Sequence, residues 1–402
     1  MDATAAPSPP RAPDRAAGAS GEAPEIRLEG VSKVYADGTV GVAELDLTFA
    51  AGELSVLVGP SGCGKTTTMK MVNRIIEPTT GRILLGDEDV TRVDADRLRR
   101  RIGYVIQSVG LFPHQTVRAN VATVPRLLGW DRRETRDRVE ELLRLVGLDP
   151  AVHGDRYPAQ LSGGQRQRAG VARALAADPG VLLMDEPFSA VDPVVRERLQ
   201  SEFLRLQETV RKTIVFVTHD IEEAVRLGDR IAVMSEGGTV EQFAAPAELL
   251  GSPATPFVAD FVGADRGLKR LAVTGIDMAD LEQPPVVHVD DRLADARTAL
   301  DRSGARWAVV LDDRQALHGW ISLERAAGSG TVRDAARRME AWVPIDATLK
   351  AAFSTMLQLE AGWVAVLDGD RFCGVLTPES LHAALRRSVE GTAPETAGAS
   401  LS

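Results

Sequence analysis

Leu161-Ser162-Gly163-Gly164-Gln165-Arg166-Gln167-Arg168 lies between two other chemically loaded stretches of the chain. Upstream is a glycine-rich octet, Gly59-Pro60-Ser61-Gly62-Cys63-Gly64-Lys65-Thr66, followed by Thr67. Downstream, the apolar run Val181-Leu182-Leu183-Met184 ends in two adjacent carboxylates, Asp185-Glu186. A serine and glycines just before a helical stretch place a hydroxyl and open backbone amides at a helix N-terminus, where an anion is favoured. In this order the three stretches predict an α/β fold with a largely parallel sheet, whose strand-end loops handle a polyphosphate.

The octet has the spacing of a phosphate-binding loop (P-loop), entered from the apolar strand Leu54–Val58. Its glycines let the backbone wrap a polyphosphate, so that amide N–H groups and a helix N-terminus face the negative charge. Lys65 is expected to reach the β- and γ-phosphates, and the Thr66 hydroxyl to ligate Mg²⁺. Neighbouring residues at a strand end point to opposite sides, so the two acids divide the work. Asp185 is expected to hold Mg²⁺ through water, and Glu186 to polarise an attacking water as general base. Cys63 reads as a small residue that fits the loop, the alternative being a reactive thiol.

Composition sets the outer bounds. A chain of 402 residues exceeds one ordinary core, so two or three units are expected. Hydrophobic content of 44% and charged content of 26% fit a globular protein, and a net charge of −10 argues against nucleic acid as the main partner. Apolar runs stay far below the length of a membrane span, so any pore must come from another polypeptide. Cys63 and Cys373 are far apart in sequence, and a structural disulfide is not expected. Residues 1–24 are rich in Ala, Pro and Gly, with no signal-peptide pattern, and are expected to be a disordered tail. Residues 388–402 are expected to be a flexible C-terminal tail.

Strands are expected at Ile26–Val34, Leu54–Val58, Val181–Met184, Ile214–Val217 and Ile231–Met234, with helices at Asp131–Val146 and Pro193–Arg211. Strands alternating with helices imply a sheet covered on both faces. A mostly helical stretch, about 108–174, interrupts that alternation as a helical subdomain. After Gly263 a repeat appears. Ala305–Asp312 aligns with Ala361–Asp368 at an offset of 56 residues, and Val289-Asp290 matches Ile345-Asp346 at the same offset. Each copy then reaches a glycine and a short strand, Gly319-Trp320-Ile321-Ser322 and Gly374-Val375-Leu376-Thr377.

On its first three motifs, the chain resembles the ATP-binding-cassette (ABC) ATPases from about Glu25 to Gly263. The resemblance implies a P-loop NTPase with a RecA-like core, with ATP and Mg²⁺ as ligands. It adds Gln107, in Tyr104-Val105-Ile106-Gln107, as the glutamine that senses Mg²⁺ and the membrane partner. His219, in Val217-Thr218-His219-Asp220, resembles the switch histidine that contacts the γ-phosphate, and Tyr35 resembles an aromatic that stacks on adenine. Ser162, Gly163, Gly164 and Gln165 would complete the ATP site of the opposite subunit in a head-to-tail homodimer. Asp192, in Ser189-Ala190-Val191-Asp192, resembles the D-loop that communicates across that dimer, with Val191 where leucine is usual.

Finer resemblance runs through Met71–Thr79, Ile102–Gln107, Gly110–His114 and Phe261–Arg266. These stretches look like the importers of quaternary amines (glycine betaine, proline betaine, choline or carnitine). The repeat resembles a tandem pair of cystathionine-β-synthase-type (CBS) modules. The implied plan is an ATPase domain at 25–263, a linker at 264–284, and a smaller α/β CBS domain at 285–387 with copies at about 285–328 and 341–387. Implied partners are membrane permease subunits and an extracytoplasmic substrate-binding protein or domain, with the chain on the cytoplasmic face of the membrane. An importer for another solute, such as an amino acid, is the alternative, followed by a soluble ABC protein outside transport. Acids that would grip a ribose are missing after Ser322 and Thr377, where Arg325 and Ser380 stand, so the CBS signal stays open between ionic strength and a cyclic dinucleotide. Trp307, Trp320, Trp342 and Trp363 could suggest an aromatic cage for a cation, but Trp307 and Trp363 are repeat-equivalent and flank buried-type strands, so core packing is expected of them instead.

Overall fold

The computed structural model describes residues 23–106, 110–189 and 191–390. Residues 1–22, 107–109, 190 and 391–402 lie outside them, among them the expected Gln107. The chain divides into two compact units, Met1–Ala245 and Pro246–Ser402.

In the first unit, apolar runs without alternation become strands buried on both faces: β3 (Leu54–Val58), β7 (Val181–Asp185) and β8 (Thr213–Thr218) have every residue buried. With β6 (Ile102–Val105), β9 (Arg230–Met234) and β10 (Val240–Ala244) they form a six-stranded sheet in the order β10-β9-β3-β8-β7-β6. All neighbours run parallel except β10, which pairs antiparallel with β9. The loops that follow β3, β7 and β8 therefore emerge at one edge of the sheet, on adjacent strands. An antiparallel sheet, ordered β2-β1-β4-β5, is built from β1 (Ile26–Val34), β2 (Val40–Phe49), β4 (Thr80–Leu85) and β5 (Glu88–Asp89). One core cluster joins Ile26, Leu47 and Phe49 to Leu57, Met69, Leu183 and Val217, so the two sheets share a core.

Between β6 and β7 the described residues form helices only, the longest being Arg132–Leu145 and Gly163–Leu175. Asp131 caps the first through the Arg133 and Glu134 amides. The long helix Pro193–Val210 is fastened under the sheet by aromatic rings. Phe188, just after β7, lies 6.2 Å from Phe203 of that helix and 5.9 Å from Phe216 of β8, centroid to centroid.

The second unit contains β11 (Val286–His288), β12 (Trp307–Leu311), β13 (Leu317–Ser322) and β14 (Arg337–Arg338) in one sheet, and β15 (Trp342–Pro344), β16 (Val364–Asp368) and β17 (Arg371–Leu376) in another. Parallel pairing repeats at the offset read from the sequence: Val286 faces Val309, and Trp342 faces Ala365. Pro246–Gly251 also belongs to this unit, so the boundary expected at Gly263 lies within it. Trp307 and Trp363 stack on each other, with centroids 4.1 Å apart and planes 6° from parallel, beside Val309, Leu311 and Val375. That spacing is ring-on-ring contact, with no room for a cation between the faces. Both cysteines are free. Among the described residues no helix is long and apolar enough to cross a membrane.

Phe216 is fully buried at the meeting point of β8 and the long helix. Replacing it with Ala should lower the stability of the first unit by about 3–5 kcal/mol, seen as a lower denaturant midpoint at unchanged slope.

Candidate functional site

The loop after β3 packs too closely for a side chain at Gly59 and Gly64. A Cβ on Gly59 would sit 2.2 Å from the Met234 carbonyl oxygen. Gly64 caps the helix Lys65–Val72 with φ of 96°, a left-handed conformation that glycine adopts without strain. Lys65 is 6% exposed, and its Nζ donates to the carbonyls of Gly59 at 2.7 Å and Pro60 at 2.8 Å. The ammonium thus lies across the loop beside Cys63, whose thiol is buried. Positive charge and a helix N-terminus meet at one place, as a polyphosphate requires.

Two hydrogen bonds tie the three strand ends together. The Thr66 hydroxyl donates to Asp185 Oδ1 at 3.0 Å. At the end of β8, His219 Nδ1 lies 3.0 Å from Glu186 Oε1. A carboxylate oxygen accepts here when the imidazole N–H is on Nδ1. Glu186 has φ of 44°, an uncommon left-handed value for a residue with a side chain. Its amide donates to the Val217 carbonyl at 3.0 Å and its own carbonyl accepts from Ser189, which hold it there. The turn points Glu186 away from Asp185 and toward His219.

Asp185 is 6% exposed, and burial holds its carboxyl above the ordinary aspartate range. The Thr66 hydrogen bond opposes that shift, the Glu186 charge adds to it, and Lys70 and Lys65 oppose it. The neighbouring Tyr104 hydroxyl is pushed up to about 12 by burial and then by the Asp185 charge, so it remains a protonated donor. Sequence reading assigned no role to Tyr104, since its proximity to Asp185 depends on β6 lying beside β7. Thr66 and Asp185 form a pair of hard oxygen donors in which a cation would relieve the buried charge, which fits Mg²⁺.

The remaining expected residues are placed around this group. Tyr35 is 37% exposed, its hydroxyl 3.2 Å from Thr67 Oγ1, and a Cβ on Gly41 would strike its ring. Ser61 and Gly62 are exposed on the loop. Asp192 caps the helix Pro193–Val210 by accepting from the Val194 amide at 3.0 Å. Ser162 caps the helix Gly163–Leu175 in a reciprocal box: its hydroxyl accepts from the Gln165 amide, and Gln165 Oε1 accepts from the Ser162 amide at 2.9 Å. Ser162 is exposed, and Gln165 turns to His153 rather than to the loop.

The family described as ABC transporter matches residues 42–189. The carnitine transport ATP-binding protein OpuCA of Listeria monocytogenes is 42% identical over 373 residues, 91% of this chain and 94% of that protein. The glycine betaine/carnitine/choline transport ATP-binding protein OpuCA of Bacillus subtilis is 42% identical over 362 residues, 89% of this chain and 95% of its own length. Among solved structures, the dimeric post-hydrolysis state of the ATP-binding cassette MJ0796 bound to ADP and Pi is similar at 33% identity and a TM-score of 0.51, covering 55% of this chain and 98% of that one.

A raised carboxyl pKa means the folded chain binds that proton more tightly than the unfolded chain. The group's contribution is therefore favourable at low pH and is lost as pH rises from the ordinary aspartate value through the raised one. Asp185→Asn removes this burden. At pH 7 it should raise the thermal midpoint of the first unit by about 2–4 °C, the shift expected from roughly 1 kcal/mol in a unit of this size. An unchanged or lower midpoint in a pH series of melting curves would contradict the buried-charge account.

Proposed function

We propose that this chain, which belongs to the ATP-binding-cassette transporter family, is the ATPase subunit of an importer for quaternary amine osmoprotectants such as glycine betaine, carnitine and choline. The observation that carries the chemical part is the convergence of Lys65, Thr66, Asp185, Glu186 and His219 at the ends of three adjacent parallel strands. The solute class rests on the near full-length likeness to the two OpuCA proteins.

Each residue has a task that its geometry allows. Lys65 and the loop amides, with Ser61, Gly62 and Gly64, bind the β- and γ-phosphates of ATP, and Tyr35 supports the adenine. Thr66 and Asp185 would hold Mg²⁺, with Gln107, and the ion supplies charge neutralisation at the phosphates. Glu186 takes a proton from the attacking water. A bond forms from that water oxygen to the γ-phosphorus, and the bond from phosphorus to the β–γ bridging oxygen breaks, leaving ADP and phosphate. His219, bonded to Glu186 through Nδ1, holds the carboxylate in place; a contact from Nε2 to the γ-phosphate requires the imidazolium, in which both ring nitrogens donate. Ser162, Gly163, Gly164 and Gln165 serve the ATP of a second copy, with Asp192 at the same interface, so two chains close head-to-tail around two nucleotides.

Closure of that dimer would move integral permease subunits, which a substrate-binding protein or domain supplies with solute at the far side of the membrane. This places the chain on the cytoplasmic face as a peripheral subunit. The functional boundaries follow the motifs: ATPase domain 25–263 with its helical subdomain near 108–174, linker 264–284, and paired CBS modules over 285–387 that inhibit transport at low ionic strength.

Glu186→Gln should retain ATP binding and lose at least about 100-fold in steady-state hydrolysis. Retained turnover would remove Glu186 as base. Uptake of labelled glycine betaine or carnitine by cells carrying the whole importer should depend on the same residue; uptake of another solute class instead would reassign the cargo. Deletion of the residues after Val286 should abolish the salt dependence of transport while leaving uptake itself. Salt dependence that survives the deletion places the sensor elsewhere.

A further inference from the structure

Glu223 is a carboxylate that none of these roles uses, yet it is only 8% exposed. It lies on the short helix Ile221–Leu227, one turn beyond His219. Its Oε1 accepts from Gln200 Nε2 at 3.0 Å. Gln200 is 4% exposed and sits midway along the helix Pro193–Val210, which begins at Asp192. Thr218, the residue before His219, also lies near the Glu223 carboxyl and favours its charged form. Thr218 Oγ1 accepts from the Asp220 amide at 3.1 Å, which fixes the hydroxyl beside the start of the short helix.

Burial holds the Glu223 carboxyl above the ordinary glutamate range, against the opposing effect of Thr218 and Gln200. Asp220, on the cap of its own helix, adds to the shift, and Arg196, on the long helix, opposes it. Arg196 in turn donates to the Val191 carbonyl at 3.1 Å, within the loop that leads to Asp192. One turn further on, Arg226 of the short helix donates to Ser201 Oγ of the long helix at 3.0 Å. Apolar packing would hold these two helices at a distance; hydrogen bonds to a buried carboxylate also hold them in direction.

We propose that Glu223 is a positioning residue for hydrolysis: together with Gln200 it locks the helix behind Asp192 to the strand end that presents His219. The aim of His219 at Glu186 and the placement of the Asp192 loop then change as one. This inference rests on the catalytic reading of Glu186 and His219 given above.

The test uses the full-length chain, measuring steady-state ATP hydrolysis and the affinity for a fluorescent trinitrophenyl ATP analogue. Glu223→Ala and Gln200→Ala should each lower kcat by about tenfold or more while the analogue's Kd changes less than about threefold, because the Lys65 loop is untouched. Glu223→Gln should keep kcat within about threefold of wild type, since the amide oxygen still accepts the hydrogen bond from Gln200. The double alanine variant should be no slower than Glu223→Ala alone, the non-additivity of one shared link. Unchanged kcat in both single alanine variants overturns the proposal. So does a loss of affinity equal to the loss of kcat, full additivity, or a Glu223→Gln enzyme as slow as Glu223→Ala. If Glu223→Ala fails to fold, Gln200→Ala, which removes no charge, decides alone. Wild type and Glu186→Gln are run alongside. Hydrolysis insensitive to Glu186→Gln defeats the catalytic reading itself, whereas sensitive hydrolysis with active Glu223 and Gln200 variants defeats only this inference.

Discussion

The hydrogen bond from Thr66 to Asp185 is the point on which the first unit turns. It ties the helix that follows the phosphate loop to the end of β7, across the fold from one strand-loop to another. It also stabilises a carboxylate that burial makes costly. A buried acid with one hydroxyl donor and two nearby ammonium groups is poorly satisfied on its own. It is well suited to a site where further positive charge arrives with the nucleotide. The rest of the architecture serves this arrangement: parallel strands bring the loop ends together, and the short antiparallel sheet closes over the same core.

The motif positions and the main sheet were legible because they are local. Leu54–Val58, Val181–Asp185 and Thr213–Thr218 are mostly apolar and buried throughout, the mark of strands covered on both faces, and each leads directly into a candidate site residue. What stayed hidden has identifiable causes. Strand β2 went unread because its inward residues Leu45, Leu47 and Phe49 alternate but Val42 falls out of step, where register shifts between β1 and β2 break the period. The left-handed backbone at Glu186 leaves no trace in residue type. Glu223 sits in Ile221-Glu222-Glu223-Ala224, which reads as an ordinary charged helix start; its partner Gln200 is 23 positions away. Long-range pairing, not propensity, decides which of those two glutamates is buried.

The second unit carries the same lesson from a repeat. The 56-residue offset predicted equivalent strands, and the pairings Val286 with Val309 and Trp342 with Ala365 keep it. In the returning hairpins the offset slips by one: Ala308 faces Ile321, whereas Val364 faces Leu376. A turn of different length absorbs that difference without changing which residues face the core. The stack of Trp307 on Trp363 then joins equivalent positions of the two copies, which a repeat allows whenever related surfaces meet across an approximate twofold relation.

Ser162 raises the question of how one hydroxyl could both cap its own helix and serve a nucleotide held by a second copy. The capping bond uses the oxygen as acceptor, because the Gln165 amide donates to it. Its O–H remains, and a phosphate oxygen is an acceptor only, so the two contacts do not compete. The reciprocal bond from the Ser162 amide to Gln165 Oε1 consumes a donor of the serine backbone rather than of its side chain. The amides of Gly163 and Gly164 stay at the head of a 13-residue helix with no side chain of their own in front of them. A helix head built this way is complete in its own folding and still open toward an anion, which is the property the proposed head-to-tail pair would require of each copy.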